Sequence, residues 1–489
     1  MKRHHVLKLL SSLLLLMFTM APWGCRKKDE GKIPVTTSSS EALNQFLQGR
    51  TLAENLRLTD AIGHFQKALE IDPDFAMAHL YLAQSAGTTK EFFDHLNQAV
   101  ALSQKASEGE RLWILGAEAA SHGDSMKQRQ DYQKLVTLFP NDERALMLLG
   151  TNYFGQQDYA KAAEYLKQST VIAPTYAPAY NQLGYAYRFL NQLADAEAAF
   201  KKYTELIPDD PNPYDSYAEL LLKTGRFDDA IVQYRKALSI NPQFANSYSG
   251  IAAALMYEGK YDDALAELQK AYESARNDGE QRAALFATTV VYVDQGKLDS
   301  ALQEMDKQYA IAEKTEDAAS MAGDLAAMGS ILLEMGKLDD AKGKFDKAAD
   351  TVAQSDLPAA VKENAEMFRH YNAAQVAVMK KDFTAAGAEL DLMRQRAEAT
   401  RNENQARLVH EVQGMIGLEQ KNYDAAIAEL ERANQQDPYN LYRIALAYEA
   451  KGDKDNAKQY FTQAAKFNSL PLLNYAFIRM KAEKMEAGI

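Results

Sequence analysis

Acidic pairs recur along this chain, at Asp228-Asp229, Asp262-Asp263 and Asp339-Asp340, and two adjacent carboxylates are what general acid/base catalysis uses. Each pair sits in the same short context, Gly225-Arg-Phe-Asp-Asp-Ala230, Gly259-Lys-Tyr-Asp-Asp-Ala264 and Gly336-Lys-Leu-Asp-Asp-Ala341, with Gly296-Lys-Leu-Asp-Ser-Ala301 as a fourth copy. A pair that recurs with its surroundings reads as helix-start chemistry, where Asp caps free N–H groups and meets the positive end of the helix dipole. His410-Glu-Val-Gln-Gly414 begins as a helical zinc site would, but Gly414 stands where the second imidazole is needed. The eight histidines are scattered, and the glycines form no phosphate-cradling loop. No catalytic residue, metal site or cofactor is expected. The only cysteine, Cys25, can close no internal disulfide.

Cys25 ends an N-terminal stretch with a basic start, Met1-Lys-Arg-His-His5, and an apolar run from Val6 to Ala21 broken only by Lys8, Ser11, Ser12 and Thr19; Gly24 precedes the cysteine. This resembles the signal of bacterial lipoproteins, in which Gly-Cys closes the lipobox and the cysteine becomes the acylated first residue. Pro22 and Trp23 stand where that family has an aliphatic and a small residue. The resemblance implies a signal peptide over 1–24, palmitate-type lipidation at Cys25, and a body tethered at a membrane of the cell envelope, the outer membrane being favoured. An uncleaved anchor over Leu9–Trp23 is the alternative, since a helix rises about 1.5 Å per residue. Residues 25–40 are polar, with Pro34 and the run Thr36-Thr-Ser-Ser-Ser40, and are expected to form a flexible tether with too little apolar surface to fold. Within them Arg26-Lys-Lys-Asp-Glu30 resembles the short charged tags of some Bacteroidota surface lipoproteins, with a solvated basic stretch near anionic headgroups as the plainer reading.

The formal net charge is −12, and removing residues 1–24, with Lys2, Arg3 and Lys8 and no acidic residue, leaves −15. Such a body repels phosphate backbones, so nucleic acid is not expected as a partner. Spacing defines the rest. Pro140, Pro174, Pro208 and Pro242 lie 34 residues apart, as do Gly116, Gly150, Gly184, Ala218 and Ala252, and Ala162, Ala196, Ala230 and Ala264. Three residue classes with one period announce a repeat. In the unit from Ala177, Tyr180, Leu183, Gly184 and Tyr187 form an apolar face on a first helix, Ala196 and Phe200 mark a second, and Pro208 stops it. Gly184 is placed for close approach to the partner helix at Ala196, and Gly225 and its equivalents for left-handed caps with Asp capping the next helix.

This set of positions resembles the tetratricopeptide repeat. The resemblance implies an all-α, right-handed superhelical solenoid of antiparallel helix pairs: about twelve units, and Leu470–Lys484 as a capping helix. The first unit begins near Ser38 with a capping box to Glu41. Regular units are expected over 41–275, longer-helix units over 276–404, where Ala264, Ala301, Ala341 and Ala386 drift to spacings of 37, 40 and 45, regular units again over 405–467, and a cap and tail over 468–489.

The resemblance also implies that the first helices line a concave groove through Trp113, Met147, Phe154, Asn181, Tyr185, Arg188, Phe189, Asp215, Glu219, Lys223, Asn246, Met256 and Tyr257. Each aromatic has packing between units as its alternative role, and Arg188 a solvated position or an ion pair. The Lys/Asn carboxylate clamp of chaperone-binding relatives is absent at Met147 and Thr151. The implied function is a protein-binding scaffold of the envelope, in assembly or secretion, with protein or peptide partners; a glycan- or small-molecule-binding lipoprotein is the alternative.

Overall fold

A computed structural model describes residues 31–400 and 402–489. The signal-like segment, Cys25 and Arg26–Glu30 lie outside the described residues. The described residues fold into 25 α-helices and no strand. The first four pairs are α1 (Ser40–Glu54) with α2 (Leu58–Ile71), α3 (Ala76–Gln84) with α4 (Thr89–Leu102), α5 (Glu108–Ser121) with α6 (Ser125–Leu138), and α7 (Glu143–Gly155) with α8 (Tyr159–Ile172). Next come α9 (Ala177–Phe189) with α10 (Leu193–Leu206), α11 (Asn212–Lys223) with α12 (Phe227–Ile240), and α13 (Ala245–Tyr257) with α14 (Tyr261–Glu273). Longer helices follow: α15 (Asp278–Asp294) with α16 (Leu298–Lys314), α17 (Ala318–Glu334) with α18 (Leu338–Ala353), and α19 (Ala359–Met379) with α20 (Phe383–Thr400). The array ends with α21 (Glu403–Glu419) and α22 (Tyr423–Leu430), α23 (Pro438–Ala450) and α24 (Lys454–Ala465), and the single α25 (Leu473–Gly488). Twelve pairs and one closing helix match the expected count. α21, in the part expected to be regular, is a 17-residue helix like those before it.

The period has a steric origin. The second-helix alanines Ala162, Ala196, Ala230, Ala264, Ala301, Ala341 and Ala386 are all fully buried, because a larger side chain there would hold the paired helix away. The small residue on the first helix answers a large side chain rather than the expected alanine: a Cβ on Gly184 would lie 2.7 Å from Phe200 Cε1, and one on Gly414 would lie 2.5 Å from Leu430 Cγ. Gly184 therefore receives Phe200, not Ala196. The turn glycine Gly225 has φ +75°, as a left-handed cap requires. The Asp pairs behind such turns lie inside the first helical turn, with Arg226 at the N-cap position making no side-chain cap, so their contribution is through the dipole and not a cap. The first helix is capped by Ser39, whose Oγ accepts from the Ala42 N–H, one residue beyond the expected start.

The array winds tightly enough for successive turns to touch. Arg276 pairs with Asp60 at 2.9 Å, Arg407 donates to the Gln156 carbonyl at 2.9 Å, and Gln157 donates to Asn434 at 2.8 Å. The closing helix does more than cover α24. It crosses the inner face to α15, where Arg479 meets Asp294 at 2.7 Å with both side chains buried, and to α17, where Lys481 meets Glu334 at 2.7 Å.

Residues 32–39, expected within a flexible tether, are docked. The Ile33 N–H donates to Asp142 Oδ2 at 2.8 Å, the Thr36 N–H to Glu110 Oε1 at 2.8 Å, and the Ser38 N–H to Asp72 Oδ2 at 2.8 Å. Ile33 and Val35 pack on the core beneath. Composition predicts mobility because it counts only the segment's own apolar surface; three buried carboxylates at successive unit edges supply backbone partners that composition does not reveal.

The inner face and its candidate sites

First helices of successive units converge on the solenoid axis, and three cavities open along it. The N-terminal one divides around Tyr81 and Trp113. On one side, about 770 Å³ is bounded by Arg50, Glu110, Arg144 and the docked residues Lys32–Val35; on the other, about 160 Å³ is bounded by Glu54, Trp113, Met147 and Asn181. Arg144 holds Glu54 through two hydrogen bonds of 2.6 and 3.1 Å and lies 5.0 Å above the Tyr176 ring. The Asp72 carboxyl stays below its ordinary range: burial raises it, but hydrogen bonds from Thr37 and Ser38 outweigh that.

The middle cavity, about 860 Å³, brings Arg188, Phe189, Glu219 and Lys223 against residues 466–472, the non-helical link between α24 and α25. Arg188 pairs with Glu219 at 3.4 Å and lies 4.9 Å from the centres of both the Tyr185 and Phe189 rings. Lys223 donates to the Phe467 carbonyl and sits 3.9 Å above the Phe467 ring, while the Tyr257 hydroxyl donates to the Ser469 carbonyl. The chain's own C-terminal link thus occupies this stretch of the groove as a bound peptide would. Burial, reinforced by the Arg188 charge, pushes the Lys223 amine down to about 8. Beneath it, burial and then the Glu219 charge push the Asp215 carboxyl up to about 8, and Asp215 accepts from Ser247 Oγ at 2.6 Å.

The C-terminal cavity, about 380 Å³, lies among α17, α19, α21 and α23, with Asn474 and Phe477 of α25 as one wall. Glu411 accepts from Tyr371 and from Arg443, each at 2.8 Å, and Tyr439 donates to Glu334 at 2.6 Å. Burial and the Glu411 charge push the Asp437 carboxyl up to about 6. Sequence spacing did not reach these residues, because the stretched period of the long helices hides which of their positions face inward.

Family models described as tetratricopeptide repeats match residues 46–110, 115–177 and 249–317, residues 153–220, and residues 439–469, and a TPR-repeat model matches residues 218–257. The chain is built of tetratricopeptide repeats. Among solved structures, the crystal structure of MamA is 29% identical, covering 32% of this chain and 93% of that one at a TM-score of 0.29. A thermophilic tetratricopeptide protein of Thermus thermophilus is 24% identical, with 44% and 99% covered at 0.29. One from Parabacteroides merdae is 15% identical, with 54% and 98% covered at 0.38. No curated protein matches the chain.

Within this tetratricopeptide array the thirteen expected groove residues separate. Trp113, Met147 and Asn181 share one cavity and Arg188, Phe189, Glu219 and Lys223 another. Tyr257 reaches the same C-terminal link. Phe154 stacks edge-on against Tyr159 and Phe189, and Tyr185 edge-on against Phe200, so both serve packing. Asp215 is buried below the groove. Met256 belongs to the core, not the groove: it is buried in one cluster with Ala252, Ala264, Leu268 and Val290 of α13, α14 and α15. Asn246 is exposed and lines none of the three cavities. Among the described residues no group of three or more His, Cys, Asp or Glu could hold a metal ion, and no helix is long and apolar enough to cross a membrane.

Proposed function

We propose that this chain is an exported, lipid-anchored scaffold of a bacterial envelope that binds protein or peptide partners along its inner face. The observation that carries the reading is the middle cavity, where side chains of α11 and α13 hold non-helical backbone at Phe467 and Ser469 by its carbonyls. A surface that grips a main chain in this way has the donors an extended partner needs, and its stacked rings add contact area at little entropic cost. Tethering rests on the Gly24-Cys25 junction behind the apolar run.

Two measurements test it. Cells grown with an alkyne-tagged palmitate should label the wild-type chain and not Cys25→Ala; equal labelling removes the lipid anchor. The full chain, cross-linked in its own envelope, should capture a saturable set of proteins that Arg188→Ala with Tyr257→Ala depletes. A second reading has one observation behind it: the middle cavity is rich in amides, with Asn191, Gln435, Gln436, Gln463 and Asn468 beside Phe189 and Tyr460, a lining suited to sugar hydroxyls. Glycan-array binding without protein capture would favour that reading.

A further inference from the structure

In the second unit two imidazoles face each other across the helix pair. His79 of α3 and His95 of α4 are both half-buried, with their Nδ1 atoms 3.2 Å apart and their ring centres 5.4 Å apart. The other contacts of this kind in the described residues join a histidine to an amide or a carboxylate: His64 to Gln45 at 3.0 Å, His370 to Glu389 and His410 to Glu429, each at 2.7 Å. His79 stands six residues after Pro73, as Tyr214 and Tyr248 stand after Pro208 and Pro242. Those two tyrosines donate to their proline carbonyls at 3.0 and 3.1 Å. The His79 ring likewise hydrogen-bonds to the Pro73 carbonyl, and since Nδ1 faces His95, Nε2 is the nitrogen left for it. A carbonyl only accepts, so Nε2 carries the proton and Nδ1 presents its lone pair to His95. Burial, and then the His95 charge, lower the His79 pKa and keep that lone pair free.

A ring nitrogen fixed as a lone pair by a carbonyl on its other nitrogen is how a histidine is prepared as a metal ligand. Zinc–nitrogen bonds are about 2.0–2.1 Å, so an ion bound to both Nδ1 atoms at their present separation would see them at about 100–106°, close to tetrahedral. The right-angled arrangement that copper and nickel favour would need them about 2.8 Å apart. We propose that His79 and His95 form a zinc site that staples α3 to α4, with both Nδ1 atoms as ligands and water in the two remaining positions. His95 takes part by moving its proton from Nδ1 to Nε2, so the ion replaces one hydrogen bond without a net change in protons. The neighbouring carboxylates are engaged elsewhere: Glu91 accepts from the Gly87 N–H at 3.2 Å, and Asp94 pairs with Lys90. The staple falls on the shortest first helix of the array, the nine residues of α3, where the pair has least length over which to pack. This inference goes beyond the scaffold reading and does not depend on it.

The full chain is titrated with Co2+, which takes the place of zinc and reports its geometry by visible absorption, and then with Zn2+. The unaltered chain should bind one ion with a tetrahedral cobalt spectrum that Zn2+ bleaches. X-ray absorption of the zinc form should show two imidazole nitrogens and two oxygens around the metal. Zinc should also slow amide exchange in α3 and α4 together and leave α11 and α12 unchanged. These three readings on the unaltered chain depend on no variant folding. His79→Tyr supplies the residue that stands at this place in the units of Tyr214 and Tyr248, with its bond to the proline carbonyl, so the unit should fold. It should weaken binding at least tenfold, the loss that removing even an outer-shell partner causes, and His95→Gln should do the same. Equal ion uptake by the unaltered chain and both variants, an octahedral cobalt spectrum, or α3 and α4 exchange unmoved by zinc overturns the proposal.

Discussion

Breaking the Asp294–Arg479 pair should release the closing helix from the inner face. Both side chains are buried, at 0% and 5% exposure, and the two residues lie 185 positions apart, so the contact exists only when the array has wound up. Asp294→Asn keeps the shape and removes the charge, leaving the guanidinium buried without its counter-ion. Removing one partner of such a pair costs about 3–5 kcal/mol. Arg479 retains Glu483 at 2.9 Å and the Tyr261 hydroxyl at 3.4 Å, which places the loss at the lower end. At about 1.4 kcal/mol per tenfold, amide exchange across α25 should accelerate by roughly two orders of magnitude. The double substitution Asp294→Leu with Arg479→Met exchanges the pair for apolar groups of similar volume and should recover most of the protection. Hydrogen exchange read by mass spectrometry on the full chain resolves α25 from the rest. Unchanged exchange in Asp294→Asn, or a double variant no better protected than the single, would refute the argument that a buried charge pair latches the closing helix.

Gly184→Ala should destabilise the fifth unit: overpacking against Phe200 costs about 1–3 kcal/mol and exceeds the roughly 1 kcal/mol of helix propensity gained. Gly343→Ala, on α18 with nothing within 4 Å of the added methyl, should instead stabilise by about 0.5–1 kcal/mol, and urea midpoints of the two variants should move in opposite directions. Asp215 holds its proton to about pH 8 when folded but only to about pH 4 when unfolded. The folded state therefore carries the extra proton in between, and stability should fall as pH rises from about 4 to 8. Asp215→Asn should flatten that slope and raise the melting temperature most near pH 8; an unchanged profile would contradict the assignment. Lys223→Met with Tyr257→Phe removes the two donors that α11 and α13 direct at the link at 466–472, and trypsin should then cut after Lys466 about tenfold faster, following the population of the open form.

The residue pattern by itself determined the unit. A 34-residue period carried jointly by small residues, alanines and prolines leaves a helical hairpin stacked on its neighbours as the consistent solution, because each class answers a local demand: close approach, burial or a stop. That is why the pair count and the turns at Gly225 and its equivalents were legible without coordinates. Local reasoning failed where the deciding partner was remote. It assigned Ala196 to Gly184 when the volume is filled by Phe200, it placed Met256 in the groove, and it read residues 32–39 as unable to fold because their carboxylate partners lie up to 111 positions away. Tertiary structure alone decided how tightly the array coils, and with it the contacts of Arg276 with Asp60 and of α25 with α15. A small rotation between units accumulates over twelve of them, so no single residue encodes the moment when one turn meets the next.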